Sequence, residues 1–303
     1  MKRILVVALF VCLTGVLAVA EEPAGGLRYS ITVSKFENRA GWHGQWDIGD
    51  AWGTVLTDML NQTGKFIVLG ETDMRYEAMG EQDLAASGRT AGGGKAPETG
   101  QLTPAQLLVK GAITHVQDDT GGAGGGIRIK GIKVGGKGGK GEVNATIYVV
   151  DSTTGQVLAS TNVVGVSTNK GALVGYSSSD WGASFGGHKN DNVGLAVQDA
   201  CAEAVEFIAG QLPNVQWTGS VVFVKDGKVY INRGSREGVA VGQAFRVGQV
   251  EVIRDPDTGE VLDEDMSEIG QIRAVEVKEK LSICEVTSGN AADLGKGMAI
   301  HPY

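Results

Sequence analysis

The sequence contains few of the residues that build catalytic and metal sites. Its 303 residues include 3 cysteines and 4 histidines. The histidines are far apart, without a second ligand at the spacing of a zinc motif, so the pattern indicates no zinc site. Only Cys201 and Cys284 lie beyond the N-terminal leader, which excludes a disulfide framework but leaves one bridge between them open. We therefore expect a protein that is not an enzyme and that uses no cofactor or metal.

Long apolar runs are scarce as well, and the one that exists lies at the N-terminus. Two cations precede the run Ile4–Leu17, and Ala18–Ala20 provides a small-residue cleavage site. This is the pattern of a secretory signal peptide over residues 1–20, and the run is shorter than the roughly 20 residues that span a bilayer. Cys12 lies inside the run, so ordinary cleavage is favoured over acylation of this cysteine. We expect export to the periplasm or outer membrane of a Gram-negative-type cell.

Charge and short motifs do not indicate a bound nucleic acid, nucleotide or calcium ion. The formal net charge is −8, whereas proteins that bind nucleic acid present basic surfaces. Gly136–Gly141 matches the dinucleotide fingerprint, but a strand follows it where the fingerprint requires a helix. Asp255, Asp257 and Glu260 lack the rest of a calcium-binding loop and are typical of a solvated turn.

Hydrophobic periodicity predicts an α/β domain over residues 21–212. Its first half is expected to contain the strand Tyr29–Lys35, a helix from Asp50 that Gly64 ends, the strand Phe66–Leu69, the helix Glu71–Ala86 and the strand Leu107–Val116. In its second half, Asp151–Gly155 is expected to be a hairpin turn into the strand Val157–Thr168. A final helix is expected from about Asn192, its available cap, with one apolar face formed by Val193, Val197, Cys201, Ala204 and Ile208.

Helical periodicity ends after residue 212. Pro213–Trp217 is typical of a linker, and residues 218–303 contain only short strands and turns. The predicted strands are Val221–Val224, Lys228–Asn232, Ala244–Val252, Gln271–Val277 and Ser282–Val286. These features predict a small all-β domain that closes into a sheet or barrel, so the fold class is α+β with two domains.

Residues 121–187 are rich in glycine and hold two candidate β-hairpins. The expected strands are Ile127–Gly135, Glu142–Val150, Leu158–Thr168 and Gly171–Ser179, each close to the 9 to 11 residues that cross a bilayer. A barrel shared among subunits would remove their open edges. The side chains expected to face lipid or a neighbouring copy are Ile127, Ile129, Ile132, Val134, Val143, Ala145, Ile147, Val149, Val164, Val166, Val174 and Tyr176. The change of parity between Ile129 and Ile132 predicts a bulge at Gly131.

The first hairpin also carries a run of cations, namely Arg128, Lys130, Lys133, Lys137 and Lys140. Because a cation on the lipid face at mid-bilayer costs about 2 to 4 kcal/mol, we expect these side chains to face a lumen or lipid headgroups. In the alternative, both glycine-rich segments are flexible soluble hairpins or contacts between subunits in the periplasm.

Several blocks between Ile31 and Ile208 resemble the CsgG/HfaB family of curli-type secretion and holdfast-anchor proteins. The most specific blocks are Thr103–Thr114 and Val149–Leu158. The others are Val33–Asn38, Gly49–Leu60, Glu81–Gly88, the glycine-rich stretch and the helix from Val193. The resemblance implies a CsgG-like periplasmic α/β domain, ring-like homo-oligomers, contact with the outer membrane, and a shared barrel through which an unfolded polypeptide passes.

The C-terminal domain carries a second resemblance. Val221–Asn232, with Gly234–Val239 and Gly242, resembles the C-terminal domain of the flagellar assembly protein FlgT, which implies a protein-docking module. The two resemblances predict a non-enzymatic subunit of an outer-membrane secretion or assembly complex, either a curli-type export channel or a component of appendage assembly. Its partners would be copies of itself and an exported envelope protein. The alternative is a soluble periplasmic scaffold that docks to an envelope or flagellar assembly.

Overall fold

The computed structural model describes residues 26–44, 46–94, 96–119, 128–129, 132–133, 140–167 and 192–303. The first part of the chain contains β1 (Tyr29–Val33), β2 (Glu37–Asn38), α1 (Ile48–Gln62), β3 (Phe66–Val68), α2 (Thr72–Ala86), β4 (Leu107–Asp119), β5 (Arg128–Ile129), β6 (Ile132–Lys133), β7 (Lys140–Asp151), β8 (Val157–Val166) and α3 (Asn192–Gly210). The helices and strands predicted up to β4 and from β7 onward are confirmed, except that the strand predicted at Gln271–Val277 begins at Val261 and the predicted strand Gly171–Ser179 lies outside the described residues.

Helix α1 begins and ends where local chemistry requires. The Asp47 carboxylate accepts hydrogen bonds from two amides of the first turn, at 2.8 and 3.1 Å, and so satisfies donors that have no partner within the helix. At the other end Gly64 adopts a φ of 64°, which glycine accepts without a steric penalty. The helix buries Trp52, whose ring stacks on Phe36 with a centroid distance of 5.3 Å.

The main sheet has the strand order β3-β1-β4-β7-β8, and β2 pairs with β4. Strand β1 is parallel to β3 and β4, whereas β4, β7 and β8 are antiparallel neighbours. Helices α1 and α3 contact each other, and α3 contacts β4, β7 and β8. Strands β4 and β7 pair from Leu107↔Asp151 to Asp119↔Lys140, so they form the long pair that connects the core with the first glycine-rich segment.

The apolar face of β7 belongs to the protein core. Val143, Ala145, Ile147 and Val149 are each at most 1% exposed, and α3 packs on their strand. The prediction that these four side chains face lipid or a neighbouring copy is therefore wrong. Alternation identified an apolar face correctly, but a period of two residues does not reveal whether a helix, lipid or another subunit covers that face.

Helix α3 packs its apolar face against β7 and β8. The five residues predicted for this face are all buried. The helix starts at Asn192, so Asn192 is its first residue and not its cap. The closest approach is at Gly165 of β8, where a Cβ atom would lie 1.8 Å from the carbonyl oxygen of Ala196. Only glycine leaves room for the helix backbone at this position.

The C-terminal part of the chain forms a closed six-stranded barrel. Its strands are β9 (Gly219–Lys225), β10 (Lys228–Ile231), β11 (Ala244–Arg254), β12 (Val261–Val277), β13 (Ser282–Ser288) and β14 (Ala299–Pro302), and their order around the barrel is β10-β13-β12-β11-β14-β9. The predicted small all-β domain and the α+β class are confirmed. Strand β14 was not predicted, and β12 starts at Val261 rather than at Gln271.

The segment predicted as a linker takes part in packing. Leu212–Asn214 forms a 3-10 turn, and Trp217 is buried in the barrel, where its ring stacks on Phe245 with a centroid distance of 5.6 Å. The hydroxyl of Tyr29, the first residue of β1, donates a hydrogen bond to the carbonyl oxygen of Val215 at 2.9 Å. The barrel therefore adjoins the end of the sheet at which β1 begins.

The glycine-rich segments leave from the other end. Strands β1 and β4 run parallel, so β4 starts near the barrel and ends at Asp119, away from it. A strand of 13 residues spans about 40 Å. The barrel and the glycine-rich segments are thus attached to opposite ends of the sheet.

The bridge left open between the two cysteines is not formed. Cys201 and Cys284 are both free and buried. Burial raises the pKa of the Cys201 thiol well above its ordinary value and that of Cys284 to about 12. Because the thiolate is the reactive form of cysteine, both side chains act as small apolar core residues.

Candidate assembly surfaces

The first glycine-rich segment leaves and returns at a single cross-strand pair. Residues 120–139 connect Asp119 of β4 with Lys140 of β7, and these two residues are paired in the antiparallel ladder. Lys140 is exposed and lies 3.7 Å from a carboxylate oxygen of Glu142. The first segment therefore leaves and re-enters the sheet at the last pair of the β4–β7 ladder.

The ends of the second segment, residues 168–191, lie at the same place. The amide of Ser167 donates to the carbonyl oxygen of Gly141 at 2.9 Å, and the Ser167 hydroxyl accepts from the Gly141 amide at 2.8 Å. Asn192 is so close that a Cβ atom on Gly141 would lie 2.3 Å from its carbonyl oxygen. All four ends of the two segments are therefore neighbours at one end of the sheet.

Four residues of the first segment are described, and they form a short antiparallel pair. Arg128 pairs with Lys133, and Ile129 pairs with Ile132. The chain direction reverses between Ile129 and Ile132, so the predicted single strand Ile127–Gly135 with a bulge at Gly131 is wrong. The change of parity reflects a chain reversal, which also places residues on either side of it out of phase.

The other residues predicted for the hairpins fall into two groups. Ile127, Lys130, Val134, Lys137, Val174 and Tyr176 lie outside the described residues, and their roles stay predictions. Val164 and Val166 lie on β8, where Val164 is 46% exposed and Val166 is partly buried. Val164 is therefore available to a neighbouring molecule.

The face of β7 and β8 that points away from α3 carries a group of exposed apolar side chains. Tyr148 and Val164 alternate onto this face, Leu158 lies at the β-bulge between the Val149–Ala159 and Val150–Val157 pairs, and all three are exposed. We call these three residues the strand surface. No helix covers them among the described residues, although helices cover both faces of many α/β sheets. The strand surface is therefore a candidate contact between copies of the chain.

The outer edge of β8 is closed near the glycine-rich segments. Strand β8 is the last in the sheet order, and such an edge invites pairing with another chain. Here the amide of Val164 donates to the Glu203 carboxylate at 3.2 Å and that of Val166 to the Asp199 carboxylate at 2.9 Å. Because these two donors are occupied, they are not available for pairing with a strand of a neighbouring copy.

Helix α2 provides a second exposed apolar surface, which the sequence reasoning missed. It has no buried residue, and Met74, Tyr76, Met79 and Leu84 are exposed, Tyr76 by 67%. We call these four residues the helix surface. The apolar residues of α2 do not form one stripe at helical spacing, and that lack of a stripe was the signal that the helix does not pack into a core.

A buried carboxyl group lies at the start of α2. Glu71 is 8% exposed, and burial, with the nearby Asp73 as a smaller cause, raises the pKa of its carboxyl above the ordinary value. The native state thus holds this proton more tightly than the unfolded state. The stability that this provides is complete below the unfolded pKa and is lost as the pH rises to the native pKa.

We therefore expect Glu71→Gln to stabilise the protein at neutral pH. The glutamine avoids the cost of a buried charge, so the midpoint of urea unfolding should rise at about pH 7, and the gain should disappear below about pH 4, the ordinary range of glutamate. Glu77→Gln, an exposed site on the same helix, is the control and should change the midpoint at neither pH. A lower midpoint for Glu71→Gln at neutral pH would show that the ionised carboxylate is the stabilising form.

The described residues provide neither a metal site nor a membrane-spanning helix. Among them there is no group of three or more His, Cys, Asp or Glu side chains that could hold a metal ion. None of the helices within the described ranges is both long enough and apolar enough to cross a membrane. What the geometry offers instead is the cluster of four segment ends, together with the strand surface and the helix surface.

Sequence comparison places the chain among known proteins. The family described as "Curli production assembly/transport component CsgG" matches residues 14–242, more than half of the 303 residues. The chain belongs to the CsgG family. The match extends beyond the blocks between Ile31 and Ile208 and ends before β11. The FlgT-like resemblance of the barrel is not shown by these comparisons and stays a prediction.

The solved structures that resemble this CsgG-family member have low sequence identity to it and low TM-scores. The hypothetical protein CT253 from Chlamydia trachomatis has 13% identity and a TM-score of 0.35, and the match covers 60% of this chain and 96% of the CT253 chain. PelC from Paraburkholderia phytofirmans, a dodecamer, has 13% identity and a TM-score of 0.32, and the match covers 61% of this chain and 92% of the PelC chain. The lipoprotein GNA1162 from Neisseria meningitidis has 16% identity and a TM-score of 0.26, and the match covers 62% of this chain and 99% of the GNA1162 chain. No curated protein matches the chain. Similarities of this size carry no argument about function.

Proposed function

We propose that this CsgG-family chain is a non-enzymatic subunit of a homo-oligomeric secretion or assembly complex at the outer membrane. In this role the glycine-rich segments of neighbouring copies complete a shared barrel that carries an exported envelope protein, as in a curli-type channel or an appendage-assembly machine. The observation that carries the proposal is the convergence of all four segment ends at one end of the sheet.

The convergence matters because backbone groups need partners. A two-stranded hairpin alone is marginally stable, and its open edges leave N–H and C=O groups unpaired. In a membrane, where no water can satisfy these groups, the edges must be closed by other strands. Two hairpins that start side by side in each subunit supply neighbouring strands, and identical subunits in a ring can close the remaining edges.

A ring also needs two different surfaces on each subunit, one for each neighbour. Closed rings are built from heterologous contacts, in which one patch meets another patch on the next copy. The strand surface on β7 and β8 is one such apolar patch, and the helix surface is a set of exposed apolar side chains distributed around α2, a separate element. We propose that they form the contact between neighbouring subunits.

The double variant Leu158→Glu/Val164→Glu should abolish the ring. Two charges in an apolar interface oppose association because each must be removed from water, whereas both positions are exposed in the single chain. We expect rings in negative-stain images of detergent extracts of the unmodified protein, and separate subunits with unchanged melting temperature for the variant. Val241→Glu, an exposed apolar position in the barrel part, should keep the ring.

Two results would contradict the proposal at different levels. A variant that still forms rings would show that the strand surface is not the contact, while the channel role would stand. An unmodified protein that stays monomeric at high concentration, both in lipid and in buffer, would rule out the shared barrel itself.

The alternative role is a soluble periplasmic scaffold, and the closed barrel favours it. A barrel without open edges suits a docking module, in agreement with the resemblance of this part to FlgT. Deletion of Thr218–Tyr303 separates the two roles. A scaffold should lose its location in the cell, whereas a channel should keep its ring.

A further inference from the structure

The hairpin formed by β11 and β12 extends beyond the barrel. Strand β11 pairs with β14 only through Phe245–Gly248, and β12 pairs with β13 only through Gln271–Val277. The strands continue together as far as Arg254↔Val261. We call the extension, residues 249–268, the acidic arm. Along it each strand has one partner and one free edge among the described residues.

The arm is strongly acidic. Its carboxylates are Glu251, Asp255, Asp257, Glu260, Asp263, Glu264, Asp265 and Glu268, and its only cation is Arg254. Arg254 donates a hydrogen bond to the Gly259 carbonyl oxygen at 3.1 Å. No ion pair within the described part of the chain involves a residue of the arm.

The pairing within the arm places like charges together. Glu251 lies directly opposite Asp265, and like charges in such cross-strand pairs are destabilising. A two-stranded hairpin outside a larger sheet is also only marginally stable. The acidic sequence of the arm thus disfavours the hairpin that the arm forms, and such local conflicts are common at sites that bind a partner.

The arm also presents apolar side chains to solvent. Val252, Ile253, Val261 and Leu262 are all exposed, Leu262 by 59%. Acidic charge alone does not define a site, since it is also typical of a solvated surface. The combination of free strand edges, exposed aliphatic side chains and uncompensated carboxylates matches an edge to which a further strand is added.

We propose that the acidic arm is a docking site for a lysine- or arginine-rich extended segment of another protein, which adds as a strand to the arm. Main-chain hydrogen bonds to a free edge would hold the segment, its cations would neutralise the carboxylates, and its apolar side chains would cover the aliphatic residues. The CsgG-family match ends at residue 242, so the arm lies in a part of the chain that the family match does not cover.

Two sources within the chain are disfavoured as occupants. Another copy of the arm would be repelled by its own charge. The basic residues of the glycine-rich segment are attached at the opposite end of the sheet, about 40 Å from the barrel end, and copies arranged in a ring share one orientation. We therefore assign the charge complement to a different polypeptide.

The test uses the full-length mature protein and synthetic peptides as probes. A peptide of alternating lysine and valine, about eight residues long, should bind with an affinity that falls at high salt. A lysine–proline peptide of equal length and charge should bind about tenfold more weakly, because proline cannot donate main-chain hydrogen bonds. Fluorescence anisotropy of labelled peptides measures both affinities.

Two matched variants locate the binding. The variant Glu251→Gln/Asp263→Asn/Asp265→Asn should weaken binding of the lysine–valine peptide about tenfold or more. The variant Asp226→Asn/Glu276→Gln/Glu285→Gln removes the same number of charges from exposed barrel sites outside the arm and should bind normally. Equal affinities for the two peptides, or equal losses in the two variants, would overturn the proposal, because binding would then reflect net charge alone.

Discussion

Replacing Gly165 with alanine is expected to lower the free energy of unfolding by about 3 kcal/mol. The new Cβ atom would lie 1.8 Å from the carbonyl oxygen of Ala196 and 2.6 Å from the amide nitrogen of Ala200. Both are backbone atoms of α3, so no side-chain rotation can relieve the contact. The helix must shift away from β8, and the apolar core between helix and sheet then opens.

The same change elsewhere provides the control. Gly80 lies within α2, and a Cβ atom there would meet nothing within 4 Å. Gly80→Ala should raise the free energy of unfolding by up to about 1 kcal/mol, because alanine favours the helix. Urea unfolding followed by circular dichroism measures both variants. A loss below about 1 kcal/mol for Gly165→Ala would mean that α3 adjusts its position without cost.

Gly165→Ala should also disturb assembly, because α3 begins beside the ends of the glycine-rich segments. Gly141 touches Asn192, the first residue of the helix. If α3 moves, the second segment no longer ends beside the first. We therefore expect fewer rings in detergent extracts of this variant, even at temperatures at which the sheet remains folded.

The second large effect is expected in the barrel, where Trp217→Ala should cost about 3 to 5 kcal/mol. Trp217 is 3% exposed, stacks on Phe245 with a centroid distance of 5.6 Å, and has the Arg233 guanidinium 5.9 Å from its ring centroid. Burial disfavours the charged form of Arg233 and lowers its pKa. Loss of the indole would also remove the aromatic face that stabilises this cation.

Trp217→Phe separates the role of the ring from that of its volume. Phenylalanine keeps an aromatic face opposite Phe245, and it removes an indole N–H that has no hydrogen-bond partner within the described residues. We expect a loss of about 1.5 kcal/mol or less for this change. Limited proteolysis should cut Trp217→Ala first within residues 219–303. Early cleavage in the main sheet would show instead that the two parts unfold as one.

The sequence predicted most of the regular elements because their apolar residues follow one period. Helices α1 and α3 each bury one continuous stripe, and the turn at Asp151 is fixed by hydrogen bonds that its carboxylate accepts from the amides of Thr153 and Thr154. These signals are local, so a single sequence contains them.

What the sequence did not predict depends on partners distant in the chain. The face of β7 that contains Ile147 was assigned to a membrane or a neighbour, since only the folded chain shows that α3 covers it. The outer half of β12 was missed because residues 263–265 are all acidic, and acidic residues are depleted in strands. Strand β14 was missed because a four-residue strand is too short to show alternation.

The placement of the barrel at the far end of the sheet has a practical consequence for anyone who wishes to label the complex. Tyr303, the last residue, is 77% exposed and belongs to the end of the molecule that faces away from the glycine-rich segments. In the proposed ring, a fluorescent or affinity tag fused there would lie on the side away from the glycine-rich segments, and every tag would point to that same side.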